Sequence, residues 1–224
     1  MSISLGQNIS ISPQRIVKLL GVTLDDKLNF TEHVSGLCKR AAMPLNAISR
    51  ISKFIDTSAK KLIYNSFIKS NFQYCPLAWH FCGSVNNSKI DRIQERSLRI
   101  VFNDLNSTYD CLLEKMGSVN CLLTRLRLIL IHVFKCINGL NPQLFENMYE
   151  EKSVPYSLRQ NVMLVQPRRK SSTYGLRSIS YLGAKLWNEI ARKHDLRGMD
   201  LSDFKCFIYT WNGPSDMLHG QNYI

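Results

Sequence analysis

The chain has 224 residues, of which 45% are apolar and 21% charged, a composition that supports a folded core and excludes a fully disordered protein. No apolar run reaches the roughly 18 to 20 residues that a membrane span requires, and the first residues lack the pattern of a secretory signal. We therefore expect an intracellular protein of the cytoplasm or nucleus, with reduced cysteines. The 29 basic residues outnumber the 17 acidic ones, and the net charge of +12 favours a polyanionic partner.

The positive charge is concentrated in one part of the chain. The net charge is 0 over residues 1–34, +8 over 35–101, −1 over 102–155 and +5 over 156–224. If the chain binds a nucleic acid, residues 35–101 are the first place to look for the contacts.

The first 30 residues have the pattern of β structure. Ile3 to Leu5 and Ile9 to Ser12 flank a Gly6-Gln7-Asn8 turn, and Ile16 to Leu24 form an apolar run that predicts a single strand. Because no later segment supplies comparable strands, we interpret this hairpin as the edge of a sheet whose other strands are absent from the sequence. The pattern predicts that the chain is the later part of a longer protein.

From Thr31 onward, apolar residues recur at steps of three and four, which is typical of helices. Thr31 is the predicted N-cap of the first helix, and we expect Pro44 to kink or split that helix. A second helix is predicted to begin after Asp56 or Thr57. The predicted core positions are Val34, Leu37, Cys38, Ala41, Leu45, Ile48 and Ile51 in the first helix, and Leu62, Ile63, Phe67 and Ile68 in the second.

A third helix, predicted over residues 88–102, has basic side chains along one face. At 100° per residue they fall within an arc of about 80°, opposite an apolar face. Asp91 and Glu95 lie off this arc and neutralise it only in part. The pattern predicts a track for phosphates, and the alternative interpretation is an ordinary solvated helix face. This basic stripe consists of Lys89, Arg92, Arg96 and Arg99, and the apolar face of Ile90, Ile93, Ile100 and Val101.

The remaining sequence predicts further helices and one extended arm. The arm covers residues 151–180, which lose helical periodicity and contain the basic run Arg168, Arg169 and Lys170. The fold class is therefore mainly α with a short N-terminal β-hairpin. The helices are predicted at 108–116, at 121–138 with Leu122, Leu126, Ile129, Val133 and Ile137 as its core, at 144–148, at 181–193 and at 201–211, the last capped by Asp200 or Ser202.

The sequence gives no support for a catalytic or metal site. Asp25 and Asp26 are adjacent, but a two-metal site needs a third carboxylate and residues 1–24 contain none, so we interpret the pair as a polar turn. The cysteines and histidines lack the repeated pairs of zinc sites, and no nucleophile elbow or phosphate-binding glycine loop is present. We predict no catalytic residue, no metal and no cofactor.

Two aromatic clusters have two possible roles. Aromatic side chains beside basic residues can stack on bases, but at helical spacing they more often form the core, which is the interpretation that we favour. The clusters are Phe72, Tyr74, Trp79 and Phe81, and Tyr174, Tyr181 and Trp187.

Four stretches carry a resemblance to a known family. They are KLLGVTLDDKLNFTEHV (18–34), LIYNSFIKSNFQYCPLAWHFCG (62–83), KIDRIQERSLRIVFND (89–104) and STYGLRSISYLGAKLWNEI (172–190). Together, and in this order, they resemble the C-terminal portion of reverse transcriptases of non-LTR (LINE-type, jockey-like) retrotransposons. The resemblance covers nearly the whole chain.

The resemblance implies a domain organisation. Residues 1–30 would be a remnant of the polymerase palm with its primer-grip strand, 31–104 a helical thumb-like domain, 105–150 a helical extension, and 151–224 a basic arm with a C-terminal helical region. Leu20-Gly21-Val22 would lie near the primer terminus. The predicted nucleic-acid-binding residues are Lys18, Gly21, Lys39, Arg40, Lys89, Arg92, Arg96, Arg99, Arg168, Arg169 and Lys170.

The chain also departs from this family. The F/Y-A-D-D box, which carries the catalytic aspartates and their Mg²⁺, is not in the sequence, nor are the fingers or an endonuclease domain. We therefore expect a truncated fragment without activity of its own, which binds RNA/DNA or DNA duplexes through phosphates and has the missing palm as a further partner. The alternatives are the C-terminal piece of an active polymerase whose palm is encoded upstream, and an inert or protein-binding helical relic.

Overall fold

A computed structural model describes residues 3–5, 9–11, 14–152, 162–168, 171 and 175–214 of the chain. The chain divides into two compact units, residues 1–116 and 117–224. The fold is mainly helical with antiparallel β-hairpins at the N-terminus, as the sequence predicts. The division after Met116 differs in place from the boundaries predicted after residues 30, 104 and 150, because the first unit contains both the hairpins and the helices that follow them.

Two antiparallel hairpins open the first unit. Among the described residues, each forms a separate sheet of two strands. The first hairpin is confirmed at its predicted place. The strands are β1 (Ile3–Leu5) paired with β2 (Ile9–Ile11), and β3 (Ile16–Leu19) paired with β4 (Val22–Asp25).

The prediction of one strand over residues 16–24 is wrong. Leu20 and Gly21 have φ angles of 46° and 82°, and two successive residues with positive φ form the tight turn that joins β3 to β4. A leucine rarely adopts positive φ, so the apolar run gave no sign of this turn. The turn brings Val22 onto the core, where it is buried, and leaves β3 exposed along its whole length.

Helix α1 (Thr31–Ile51) is uninterrupted, so Pro44 lies inside it and does not split it. The N-cap residue is Phe30, which makes the predicted cap at Thr31 one residue late. The Asp25 carboxylate accepts the N–H groups of Asn29 and Phe30 at 2.9 and 2.6 Å, and so holds the turn before the helix. The predicted core positions of α1 are buried except for Cys38, which is half-buried, and Ile51, which is exposed.

A second helical run passes through a change of helix type. It begins after Asp56, one of the two starts that the sequence predicts, and the Asp56 side chain caps it by accepting the N–H of Ala59 at 3.0 Å. The run comprises α2 (Thr57–Ile63), a π-helix (Tyr64–Lys69) and α3 (Ser70–Gln73).

The predicted core face of this run is wrong for Leu62 and Phe67, which are 68% and 60% exposed. A step of four residues overshoots a full turn of α-helix by about 40°, whereas it falls short of the wider π turn, which closes between residues i and i+5. The two deviations compensate along the run. The π-helix therefore keeps one face buried at four-residue intervals, consisting of Lys60, Tyr64, Ile68 and Phe72.

Helix α4 (Ser84–Phe102) packs against α1 and runs parallel to it. Asn86 near the start of α4 donates to the Thr31 hydroxyl at the start of α1, and Arg96 further along α4 donates to the Asn46 side chain further along α1. The two helices therefore run in the same direction. Of the predicted apolar face of α4, Ile90 and Val101 are buried opposite the basic stripe, whereas Ile93 and Ile100 are half-buried. Helix α5 (Tyr109–Met116) packs against α4, where the Tyr109 hydroxyl donates to Gln94 at 2.8 Å.

The second unit is built on a long helix with two others packed against it. Its aromatic core includes Phe134 and Phe204, whose rings stack 4.3 Å apart, with Trp187 beside them. The amphipathic helix predicted around residue 144 is instead a 3-10 turn, and Leu144 is 87% exposed. The elements are α6 (Cys121–Ile137), the 3-10 turn (Gln143–Phe145), α7 (Ile179–Lys193) and α8 (Leu201–Thr210).

In the described part of the chain, no helix combines the length and apolar character that crossing a membrane requires.

Candidate nucleic-acid interface

The basic stripe of α4 contains two exposed arginines and two half-buried basic side chains. Arg92 and Arg96 are exposed. The Lys89 ammonium donates to the Asn86 side chain at 3.2 Å. Arg99 forms an ion pair with Glu95 at 2.7 Å and donates to the Leu105 carbonyl at 2.6 Å, so its guanidinium is largely occupied within the protein.

The flank of α1 beside this stripe is also basic. Arg96 donates to the Asn46 side chain at 3.3 Å. At 100° per residue, Lys39 lies about 20° from Asn46 on the helix surface and Arg50 about 40° from it, and both are exposed. Sequence reasoning missed Arg50, although its spacing of eleven residues from Lys39 is three helical turns. We call Lys39, Arg50, Arg92 and Arg96 the α1–α4 face.

Electrostatics supports the close approach of the two helices. Burial raises the pKa of the Cys38 thiol on α1, and the positive charge of Lys89 on α4 opposes this increase. The ammonium group of Lys89 is therefore close to Cys38 on α1.

A second group of predicted residues lines a groove of about 370 Å³ in the same unit. Arg40 lies about 100° around α1 from Lys39, so these adjacent residues belong to different surfaces. The groove contains two cations and several hydrogen-bonding groups, and none of its lining residues is a carboxylate. Such a lining favours an anion. It consists of Lys18, Gly21, Leu37, Arg40, Ser70, Asn71 and Tyr74.

Two hydrogen bonds hold the hairpin against the helices and so form the groove. The Tyr74 hydroxyl donates to the Leu20 carbonyl at 2.7 Å, and the Thr23 N–H donates to Nδ1 of His33 at 3.2 Å. A Cβ at Gly21 would lie 3.3 Å from the Tyr74 ring. Burial, together with the charge of Arg40, lowers the pKa of His33, which keeps the imidazole neutral and able to accept this bond.

The aromatic residues are divided between the cores and the surface. Phe72, Trp79 and Trp187 are buried in the cores, as favoured from the sequence, whereas Tyr74 is 54% exposed at the groove. Phe81 and Tyr181 are half-buried. Tyr174 lies outside the described residues.

The basic residues of the second unit are arranged differently. Arg168 of the predicted arm is exposed, while Arg169 and Lys170 lie outside the described residues. Arg127, which the sequence did not single out, is buried and donates two hydrogen bonds to the Trp211 carbonyl at 2.7 and 3.1 Å. Burial lowers the pKa of this guanidinium. Arg127 therefore joins α6 to the end of α8.

Asp25, one of the two adjacent aspartates weighed above as metal ligands, stabilises a turn. Asp25 accepts backbone N–H groups in the turn after β4, which agrees with its interpretation as a polar turn. Within the ranges that the structure describes, no three His, Cys, Asp or Glu side chains lie together as a metal-binding group.

Comparisons of the chain with protein-family models, with curated proteins and with solved structures found no match. The positions and charges of the side chains are therefore the basis for proposing a function.

Proposed function

We propose that the chain binds nucleic-acid duplexes through their phosphates, as a thumb-like helical region related to non-LTR reverse transcriptases. One observation carries this proposal: exposed cations from two parallel, packed helices form the α1–α4 face. The resemblance in sequence supports the choice of a duplex of RNA and DNA as the ligand.

The dimensions of the α1–α4 face suit a duplex backbone. Lys39 and Arg50 are about 16 Å apart along α1, and Arg92 and Arg96 about 6 Å apart along α4. A strand of duplex advances about 3.4 Å per phosphate along its axis, so the face spans roughly five phosphates. Arginine and lysine bind phosphates as charged donors, and such contacts orient a duplex without reading its sequence.

The proposal is binding without polymerisation. The reaction needs carboxylates that hold two metal ions at the primer terminus, and the family supplies them from an F/Y-A-D-D box. The 224 residues contain no such box. The family's Mg²⁺ therefore has no place in the function proposed for these residues, and a polymerase fragment is the identity that we propose for the chain.

The affinity for a labelled RNA/DNA hybrid of about 20 base pairs, measured between 50 and 200 mM salt, tests this proposal. We expect log K to fall linearly with log salt, with a slope near −0.9 for each phosphate contact. The variant Arg92→Glu/Arg96→Glu should bind far more weakly. The control Lys193→Glu/Lys205→Glu changes the net charge equally on α7 and α8 and should retain most of the affinity. Salt-independent binding, or equal losses in both variants, would contradict the proposal.

A second candidate function is protein binding, and the exposure of β3 favours it. Ile16, Val17 and Leu19 are 49%, 48% and 58% exposed on a strand whose outer edge has no neighbour among the described residues. Such an edge accepts a further strand, for example from a polymerase palm. Reading the genomic sequence before Met1 for an in-frame F/Y-A-D-D box tests whether such a palm is encoded in the same chain, and stop codons there would exclude that arrangement.

A further inference from the structure

Two neighbouring side chains of α7 hold an extended piece of chain, residues 162–165. Asn188 accepts the N–H of Leu164 with its Oδ1 and donates to the Leu164 carbonyl from its Nδ2, both at 2.8 Å. The Trp187 indole N–H donates to the Val162 carbonyl, also at 2.8 Å. One side-chain amide thus gives Leu164 the pair of bonds that a neighbouring strand would give. We call Trp187 and Asn188 the clip.

The opposite edge of the same segment is also bonded. The N–H of Lys152 donates to the Met163 carbonyl at 2.7 Å, and the N–H of Val165 donates to the Glu150 carbonyl at 2.8 Å. Leu164 is 1% exposed, and both clip residues are buried. Breaking the clip would leave buried polar groups without partners, so the segment is fixed to α7.

An exposed cation follows this fixed point closely. Arg168 is three residues beyond Val165, which limits its Cα to about 10 Å from the last anchored residue. A side chain confined in this way loses less conformational entropy on binding than one on a freely moving chain. By anchoring residues 162–165, the clip restricts the positions that Arg168 can take before it binds.

We propose that Trp187 and Asn188 are positioning residues that fix Arg168 as a phosphate contact of the second unit. This inference rests on the proposed duplex binding. It assigns a role to Asn188, for which the sequence alone offered none, and a second role to Trp187, which the sequence predicts to be a core residue.

The first arm of the test measures the clip without any nucleic acid. Amide hydrogen exchange at Leu164 should become faster in Asn188→Leu, which has a similar volume but neither hydrogen bond. The variant Trp187→Phe keeps most of the ring and removes only the bond to Val162, so it reports on the clip if Asn188→Leu does not fold.

The second arm measures hybrid-duplex affinity against salt in the full chain. Arg168→Gln should remove one contact, so its loss of affinity between 50 and 200 mM salt should be about 3.5-fold smaller than that of the wild type. Asn188→Leu should show a similar reduction. The double variant Arg168→Gln/Asn188→Leu should show no further reduction of the salt dependence, since both changes remove the same contact. As a control, Arg192→Gln should change the salt dependence of affinity equally in the wild type and in Asn188→Leu.

The outcomes separate the two proposals. Faster exchange at Leu164 with an unchanged salt slope, or additive effects of Asn188→Leu and Arg168→Gln, would overturn the positioning role and leave duplex binding intact. A wild-type chain that binds no duplex in a salt-dependent way would overturn the proposed function, and this inference with it, while the exchange data would still report on the clip.

Discussion

The two units have the same net charge of +6 but use their basic residues differently. Residues 1–116 contain 15 basic and nine acidic residues, and residues 117–224 contain 14 and eight. In the first unit, exposed cations from α1 and α4 share one face and two more line the groove. In the second unit, the two arginines of α6 are buried, and Arg127 bonds a backbone carbonyl.

This difference shows that net charge does not by itself locate an interface. A buried guanidinium bonded to a carbonyl contributes to folding and is not accessible to a phosphate. An exposed cation beside others of the same sign is accessible to a phosphate and contributes little to stability. Neutralising the buried arginines of α6 should therefore lower stability, whereas neutralising the exposed cations of α1 and α4 should lower affinity.

The largest expected effect is on stability. Arg127→Ala removes a buried side chain and both of its part-buried hydrogen bonds to the Trp211 carbonyl, so we expect a loss of about 3 kcal/mol in the free energy of unfolding. Urea unfolding followed by circular dichroism measures this loss. The exposed Arg192→Ala should change stability by less than about 0.5 kcal/mol. Equal effects would show that Arg127 is not structural.

Neutralising the cations of the groove should lower the affinity for a duplex and leave stability unchanged. Lys18→Gln/Arg40→Gln removes both of its cations, and we expect the salt slope of duplex binding to fall by about two, with affinity lowered on the order of tenfold at 50 mM salt. Stability should stay near that of the wild type. Lys27→Gln, an exposed change on the neighbouring turn, serves as the control. A slope that does not change would restrict binding to the α1–α4 face.

A smaller effect is expected from the turn that closes the groove. Gly21→Ala places a Cβ at positive φ and 3.3 Å from Tyr74, and should lower the free energy of unfolding by about 1 kcal/mol. Gly36→Ala, within α1, should act in the opposite direction, because alanine is favoured in a helix. Thermal melts of both variants test the pair. A stabilising Gly21→Ala would mean that the turn has a different conformation.

The smallest expected effect depends on pH. The pKa of His33 is lowered by burial and by Arg40, so the folded chain keeps this imidazole neutral while the unfolded chain binds a proton below about pH 6.5. The contribution of His33 to the free energy of unfolding should therefore be complete above that pH and should decrease as the pH falls towards the lowered pKa. His33→Asn, which does not titrate, should flatten this dependence between pH 5 and 7.5.

The flattening should be partial, because burial also lowers the pKa of His132 in the second unit. If the profile of His33→Asn runs parallel to that of the wild type, His33 does not contribute to the pH dependence.

The features that the sequence predicts correctly depend on neighbours within one or two helical turns. The helix start after Asp56, the cap at Asp200 and the basic stripe opposite Ile90 follow from local spacing, which a single helix determines. The turn at Leu20 could not be predicted from the sequence, because leucine rarely adopts positive φ. The Leu20 carbonyl accepts a hydrogen bond from Tyr74, which is 54 residues away and outside the reach of any local pattern.

The candidate sites show the same limit. The sequence grouped Lys39 with Arg40, but which cation joins which surface depends on the packing of α4 and the hairpin against α1. The clip at Asn188 joins residues 24 positions apart through an extended segment without periodicity. Such contacts depend on tertiary structure, and no local pattern encodes them.

The π-helix at Tyr64–Lys69 lets the second helical run hold one residue more than an α-helix that covers the same rotation. Over six residues the wider π turn falls about 100° short of an α-helix, which is the rotation of one α-helical residue. Deleting one residue from this stretch would therefore allow a regular α-helix to form while Ser70, Asn71 and Tyr74 keep their direction towards the groove. Deleting one residue from α2 would instead rotate these three side chains by about 100° and remove them from the groove.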